Sequence, residues 1–377
     1  NALVSGVAPS NIPNDNLQWE QTRSTDIGLD FSIFKNRIQL NADYYVNKTT
    51  NLLFNMSTPY TTGFSSITEN IGSIQNKGWE IDLTTHNLTG KFQWTTNLNL
   101  SRNRNKVLNM GGIKSLTSSS FDAYFITAVG QPISQFYAYK SDGLLKESDF
   151  DSNGKAIVPV LNATQRVGGV KYVDTNNDGK ITSNDFRTFG NNLPDLTYGL
   201  TNRFSWKNFD LSILIQGQIG GNILWLGARQ MDCAGVGFNQ LSHWLRGYKE
   251  DYVKLYGDSP IPEEFCKKYG IDMSWDGKTP NAIGGWNIND DRRIYDATFL
   301  RIKNVTLSYT LPKAFLGNSL LKSVRVYLSA DNLKTFDDYP GYTPESNSYG
   351  NSTTRMGVDY TTYPLSRRLI FGASLVF

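Results

Sequence analysis

The chain has 377 residues and a formal net charge of +3, with its Lys and Arg scattered among 34 acidic residues, so no basic footprint for DNA or RNA emerges. No stretch approaches the roughly 18 consecutive apolar residues that mark a transmembrane helix. That excludes a helical membrane protein but leaves a membrane β-barrel open, because barrel strands alternate lipid-facing and lumen-facing side chains and so average to mildly polar. Aromatic residues at 13% and 33 glycines favour β-structure.

The chain opens at Asn1 with neither Met nor a targeting segment, and reads as a fragment of a longer precursor. The first predicted element, Thr25 to Ile33, sets Thr25, Ile27, Leu29, Phe31 and Ile33 against Asp26, Gly28, Asp30 and Ser32, a strict period of two. Phe34-Lys35-Asn36-Arg37 turns into a second run, where Ile38, Leu40, Ala42, Tyr44 and Val46 oppose Gln39, Asn41, Asp43 and Tyr45; the two runs form a hairpin. The pattern returns at Trp79, Ile81 and Leu83, crosses Leu88-Thr89-Gly90, and continues through Phe92, Trp94, Thr96, Leu98 and Leu100. A third hairpin pairs Tyr198 to Trp206 with Phe209 to Gln218 across Lys207-Asn208, and a fourth pairs Phe299 to Tyr309 with Val324 to Asn332. A last strand runs from Leu369 to Phe377.

Several of these nine strands have about ten to thirteen residues, about twice the mean for soluble proteins and enough to cross a bilayer at a tilt. Connections are short after strands one, three, five and seven and long after two, four, six and eight, which is the asymmetry of outer-membrane barrels. If the short turns are periplasmic and the long loops extracellular, the ninth strand descends and Phe377 ends in the periplasm. Phe31 and Phe34, Phe92 and Trp94, and Trp206 and Phe209 flank the short turns, as an interfacial aromatic girdle would. Alternation and tight hairpins also suit the core of a soluble β-sandwich, so the pattern alone keeps both readings.

Specific stretches narrow this. Asn16-Leu17-Gln18-Trp19-Glu20 followed by Asp26-Ile27-Gly28-Leu29-Asp30, then Asn76-Lys77-Gly78-Trp79-Glu80, the run Phe299 to Leu307, and Tyr363-Pro364 leading to a strand ending in Phe377 resemble the SusC/RagA family of TonB-dependent transporters. The resemblance spans nearly the whole chain. It implies an all-β fold, a transmembrane antiparallel β-barrel of 22 strands of which these nine would be the last, with residues 1–377 forming its C-terminal portion. It also implies a plug and N-terminal domain upstream, a SusD-like surface lipoprotein as partner, and energy coupling through TonB. The expected function is import of a nutrient across the outer membrane of a Gram-negative bacterium. An oligosaccharide is the leading substrate, a peptide the runner-up, and no catalysis is expected.

One motif carries metal chemistry. Residues 174–185 match the calcium loop D-x-[DN]-x-[DN]-G-x5-E, except that Asp185 stands where Glu is usual. Asp174, Asn176 and Asp178 offer hard oxygens, Gly179 permits the bend, Lys180 would give its carbonyl, Thr182 would bind directly or through water, and Asp185 would close the site. The expectation is a structural Ca²⁺, with Mg²⁺ as the alternative given the shorter arm of Asp185. A bare Asn-Asp-Gly turn is the competing reading. Trp225, Trp244, Trp275 and Trp286 crowd the loop after strand six, where indoles could stack on sugar rings, meet a lid partner or pack within the loop. Cys233 and Cys266 share that loop; they are too few for a disulfide scaffold and lack zinc spacing, though an extracytoplasmic address would permit a bond between them. His86 and His243 sit in no nucleophile or metal motif. Arg102, Arg104 and Lys106, and the run Asp290-Asp291-Arg292-Arg293, read as solvated loop charge. The rival from another class is a soluble calcium-containing β-rich glycan-binding module, or an enzyme built on one, but no pair of carboxylates is singled out by spacing.

Overall fold

A computed structural model describes residues 12–64, 66–121, 123–231, 241–246, 264, 267–268, 270, 276–280, 289–317 and 320–377. Nine strands form one sheet: β1 (Gln21–Ile33), β2 (Ile38–Ser57), β3 (Ser66–Thr89), β4 (Phe92–Met110), β5 (Leu196–Trp206), β6 (Phe209–Ile219), β7 (Phe299–Thr310), β8 (Ser323–Asp337) and β9 (Arg368–Val376). Their order in the sheet is their order in the chain, and every neighbouring pair is antiparallel. All nine predicted strands are present, in the predicted up-and-down order.

Register turns the period of two into two continuous faces. Ile27 lies opposite Tyr44, Ala42 opposite Ile81, Ile81 opposite Leu100, Leu98 opposite Leu200, and Leu200 opposite Ile215. Leu211 then meets Leu307, Leu307 meets Leu328, and Leu328 meets Phe371. These side chains make one apolar face, on which large residues stand open among the described residues: Phe371 and Leu369 are 77% exposed. The opposite face carries Asn41, Asp43, Glu80, Asp82, Asn97, Asn99 and Gln216 at alternate positions. A β-bulge at Lys303, between Ile302 and Asn304, resets the register, so that Leu300 and Arg301 still fall on the apolar and polar faces respectively.

The turn at Phe34, Lys35 and Asn36 puts three consecutive non-glycine residues at positive φ (53°, 55° and 67°). Tyr–Gly cross-strand pairs recur: Tyr45 opposite Gly78, Tyr198 opposite Gly217 and Tyr327 opposite Gly372. A Cβ at each of these glycines would come within 3 Å of the tyrosine ring, so the glycine makes room for a ring that covers bare backbone on the neighbouring strand.

Two expectations about connections need correction. The connection between β2 and β3 is residues 58–65 and not a long loop; the strands run on past Val46 and Trp79 as a paired ribbon with bulges near Leu52. Its polar Asn and Thr residues look like loop by composition, but their backbone groups are satisfied by the partner strand. The other three long connections fold together. Strands Ser115–Ser120, Ala123–Ala128, Gln135–Ala138 and Arg187–Asn191 form a second sheet, and Asn222–Trp225, Ile294–Asp296 and Val358–Asp359 a third. Ala123, Phe125 and Phe136 from the first of these connections pack with Leu224 and Leu226 from the second and Val358 from the third. Among the described residues the dry core lies in this loop assembly, not between faces of the main sheet.

Candidate functional site

The polar face of the sheet is a ladder of carboxylates and amides that satisfy one another along its middle. Asn97 donates to both carboxylate oxygens of Asp82 (3.1 and 3.2 Å) and to Thr84 Oγ1 (2.9 Å), and Asn99 also donates to Asp82. Further along the sheet, Asn304 donates to Asp331 (2.7 Å) and Ser329 (2.9 Å). A cavity of about 770 Å³ opens on this face, lined by Asn41, Asp43, Glu80, Asp82, Gln216 and Glu345 among others. Its rim is fixed by Arg301, which is 1% exposed: Nε donates to Thr335 Oγ1 (2.9 Å), Nη2 to Thr343 Oγ1 (3.2 Å) and Nη1 to Glu345, while the guanidinium carbon lies 4.8 Å from the centre of the Phe299 ring. Sequence reading passed over Arg301, because alternation shows which face a residue takes but not which of its neighbours bury it.

The predicted metal loop closes on itself through its own side chains. Asp174 accepts from the N–H of Asp178 (3.2 Å) and of Gly179 (2.8 Å), Asn176 Oδ1 from Asp178 N (3.0 Å), and Asp178 Oδ1 from Lys180 N (2.9 Å). Asp185 is fully buried; its Oδ1 accepts from Thr175 N (2.8 Å), Thr175 Oγ1 (3.0 Å) and Asn176 N (3.4 Å), and its Oδ2 from Thr182 N (2.8 Å). Burial pushes the Asp185 carboxyl up, but the N–H groups of Thr182, Thr175 and Asn176 together with the Thr175 hydroxyl outweigh it and hold the group below the ordinary carboxylate range. Thr182 and Asp185 make a capping box at the short 3₁₀ turn Ser183–Asp185. Among the described residues no three Asp, Glu, His or Cys side chains converge as a metal cluster. The donor chemistry nonetheless suits a hard cation: Asn176 and Asp178 are exposed oxygen carriers, Asp174 is half-buried, and Asp185 Oδ2, with one hydrogen bond, keeps a lone pair.

Ile181 and Phe186 anchor this loop in an aromatic cluster with Tyr139, Val170 and Tyr172. Phe186 lies 4.5 Å from Tyr139 and 5.2 Å from both Tyr137 and Tyr124, centre to centre. Tyr172 Oη in turn donates to Asp290 Oδ2 (3.0 Å). This corrects the reading of Asp290-Asp291-Arg292-Arg293 as solvated charge. Asp290 is fully buried and Arg293 is 5% exposed. Asp290 also accepts from Arg292 Nη2 (2.7 Å), and Asp291 from Lys140 Nζ (2.6 Å) and Ser141 N (2.9 Å). Burial and the Asp290 charge push the Tyr172 hydroxyl well up, so it stays a donor. Arg104 also departs from the expectation, pairing with Asp195 across β4 and the entry to β5.

Trp225 is half-buried, in edge contact with Tyr295 and Tyr339 (6.2 Å to each), and Tyr339 Oη donates to the buried Asp359 (2.6 Å). The Trp244 side chain, Trp275, Trp286, Cys233 and Cys266 lie outside the described residues. His86 shares a hydrogen bond with Thr95 Oγ1 (3.1 Å), and His243 lies in the 3₁₀ turn Ser242–Arg246. Neither stands in a catalytic arrangement among the described residues.

Comparison with known proteins bears on this architecture. The family model described as TonB dependent receptor-like, beta-barrel, matches residues 3–333. TonB-dependent receptor P3 of Formosa agariphila is 32% identical over 386 residues, covering 99% of this chain and 36% of that protein. TonB-dependent receptor SusC of Bacteroides thetaiotaomicron is 26% identical, covering 97% of this chain and 32% of that protein. The solved RagAB peptide importer in its open-open state superposes with a TM-score of 0.72 at 24% identity, over 98% of this chain and 36% of that one; at that identity the likeness is one of fold. The chain spans about a third of the length of the relatives it matches.

Proposed function

Since the chain belongs to the TonB-dependent receptor β-barrel family of SusC/RagA-like proteins, a family of outer-membrane receptors and transporters and not of enzymes, we propose that it forms the C-terminal wall of a nutrient importer in a Gram-negative outer membrane. The observation that carries this reading is the two-faced sheet. Its uncovered apolar face, about 9 residues deep on each hairpin, suits a hydrocarbon band about 25 Å tall, and its carboxylate and amide face suits a wet passage. The proposed cargo is an oligosaccharide, because Asn41, Asp43, Glu80, Asp82 and Gln216 around the cavity pair naturally with hydroxyl groups. Peptide cargo is the second reading, favoured by the fold shared with the RagAB peptide importer.

Completion of the barrel requires further strands beside β1 and β9, because an open edge in lipid would leave backbone groups unpaired at several kcal/mol each. A SusD-like lipoprotein above the loop assembly and TonB below the barrel complete the proposed machine. In the loop assembly, the proposed Ca²⁺ would rest on Asp174, Asn176, Asp178 and the Lys180 carbonyl, with Thr182 and Asp185 closing, and would stiffen the segment that Ile181 and Phe186 anchor. Chelator that leaves the protease sensitivity of residues 174–185 unchanged would remove the calcium part. The main test is to purify the full-length protein in detergent, identify its lipoprotein partner, and titrate oligosaccharide and peptide pools by calorimetry. Saturable oligosaccharide binding is expected; peptide binding alone would transfer the assignment to the second reading, and a protein soluble without detergent would end both.

A further inference from the structure

Above the apolar band, the outward face of one half of the sheet changes character within a single alternation. On β1 the outward series Ile33, Phe31, Leu29, Ile27 and Thr25 ends at Arg23; on β2 the series Ile38 to Val46 ends at Lys48. On β3 the residue beyond Trp79 is Lys77, and on β4 those beyond Leu100 are Arg102, Arg104 and Lys106. Four adjacent strands therefore place basic side chains in three successive outward rows of the sheet, on the side away from the short turns: Arg23 and Lys48 lie in line with Lys106, Lys77 in line with Arg104, and Arg102 opposite Trp79. Pairing makes the concentration sharper: Arg23 is directly opposite Lys48, and Lys77 directly opposite Arg104. Cross-strand neighbours stand about 5 Å apart at Cβ, and like charges there are destabilising.

Only Arg104 has a carboxylate partner, Asp195; among the described residues Arg23, Lys48, Lys77, Arg102 and Lys106 have none, and all five are exposed. The other half of the sheet lacks such a belt: Lys334 on β8 lies 5.7 Å from the centre of the Phe336 ring. A repelling cluster of cations at the edge of an apolar band, with Asp195 its one carboxylate counterion among the described residues, is complementary to anions at the membrane surface. We propose that Arg23, Lys48, Lys77, Arg102 and Lys106, with Arg104, bind phosphate-bearing headgroups of the outer lipid leaflet, so that this wall of the barrel carries a bound lipid annulus. The anions would bridge the like-charged cross-strand pairs while acyl chains lie on Ile27, Tyr44, Trp79 and Leu100.

This inference rests on the membrane-spanning reading above, and its test separates the two. The full-length protein is reconstituted into phosphatidylcholine vesicles doped with bisphosphorylated lipid A, re-extracted in mild detergent, and the phosphorus retained per protein is measured. Each cation removed is expected to weaken retention about fivefold, the equivalent of about 1 kcal/mol per basic residue at an anionic surface. The double variant K77Q/R102Q should therefore lose most of the bound lipid A while K334Q keeps it. Heat-modifiable migration in electrophoresis verifies that each variant holds a folded barrel, and the charge-keeping double variant K77R/R102K should retain lipid A like the unaltered protein. If a folded, inserted K77Q/R102Q variant retains lipid A like the unaltered protein, the lipid site is refuted and the transporter reading stands. If the unaltered protein fails to insert, the transporter reading itself falls.

Discussion

The nine-stranded sheet and the loop assembly are built from one chain but suit two different surroundings. In the sheet large apolar side chains stand exposed, Leu369 and Phe371 at 77%, whereas in the loop assembly Phe125 and Ala123 are wholly buried. In water that distribution would leave a large apolar patch uncovered on the sheet; in hydrocarbon it is the stable arrangement, because the backbone is paired strand to strand and the apolar side chains need no further cover. The loop assembly follows the rules of a water-soluble domain: aromatic clusters exclude water, and buried charges such as Asp290 survive because Tyr172 and Arg292 hydrogen-bond to them. The same chain thus keeps its order in two solvents by two routes, and each can be broken without the other.

The largest separation is expected from Phe186→Ala. It removes the ring shared by Tyr124, Tyr137 and Tyr139, at a cost of about 3–5 kcal/mol for a buried Phe. Hydrogen exchange should then accelerate across residues 170–191 while the amides of β5 and β6 keep their protection. Loss of protection in both regions together would show that loop assembly and sheet fold as one cooperative unit, and the comparison would fail.

A second experiment puts the same charge on the two faces of one strand. Leu98→Arg faces the apolar side and is expected to destabilise the barrel by about 2–4 kcal/mol near the bilayer midplane. Asn97→Arg, one residue away, faces Asp82 and Thr84 and should cost much less. Urea unfolding in lipid vesicles reads both, and equal costs would mean that the face assigned to hydrocarbon is not in hydrocarbon.

The two regions also differ in how far the residues alone disclosed them. All nine strands and their faces follow from alternation, because Ile27, Leu29 and Phe31 carry the signal locally and a slip of one residue would invert every side chain. The extension of β2 and β3 escaped, since Asn47, Thr49 and Thr50 owe their order to a partner strand more than twenty residues away. In the loop assembly little was legible beyond the Asn-Asp-Gly turn within residues 174–185. The pairing of Tyr172 with Asp290 spans 118 residues, and nothing in Asp290-Asp291-Arg292-Arg293 distinguishes a buried ion pair from surface charge. The family resemblance implied the barrel fold; it did not give Arg301 or the packing of Trp225 against Tyr295 and Tyr339.

The smallest expected effect is a matter of pH and is confined to the loop. Asp185 is held below the ordinary carboxylate range by donors that only the folded loop supplies. A depressed folded-state value means that the unfolded loop binds the proton more readily. The stabilisation is therefore complete above about pH 4, the ordinary carboxylate value, and is lost as pH falls further through the folded-state value. Cleavage of residues 174–185 by an acid protease should rise as the pH is lowered from about 5 to 3 while the sheet stays resistant. In Asp185→Asn, which keeps an acceptor oxygen but not the titrating charge, cleavage should be higher at neutral pH and nearly flat with pH. A variant that kept the full pH response would assign it to another group, with Asp149 the next candidate: it is drawn down by the Lys146 N–H and by Lys171, against the opposing effect of burial.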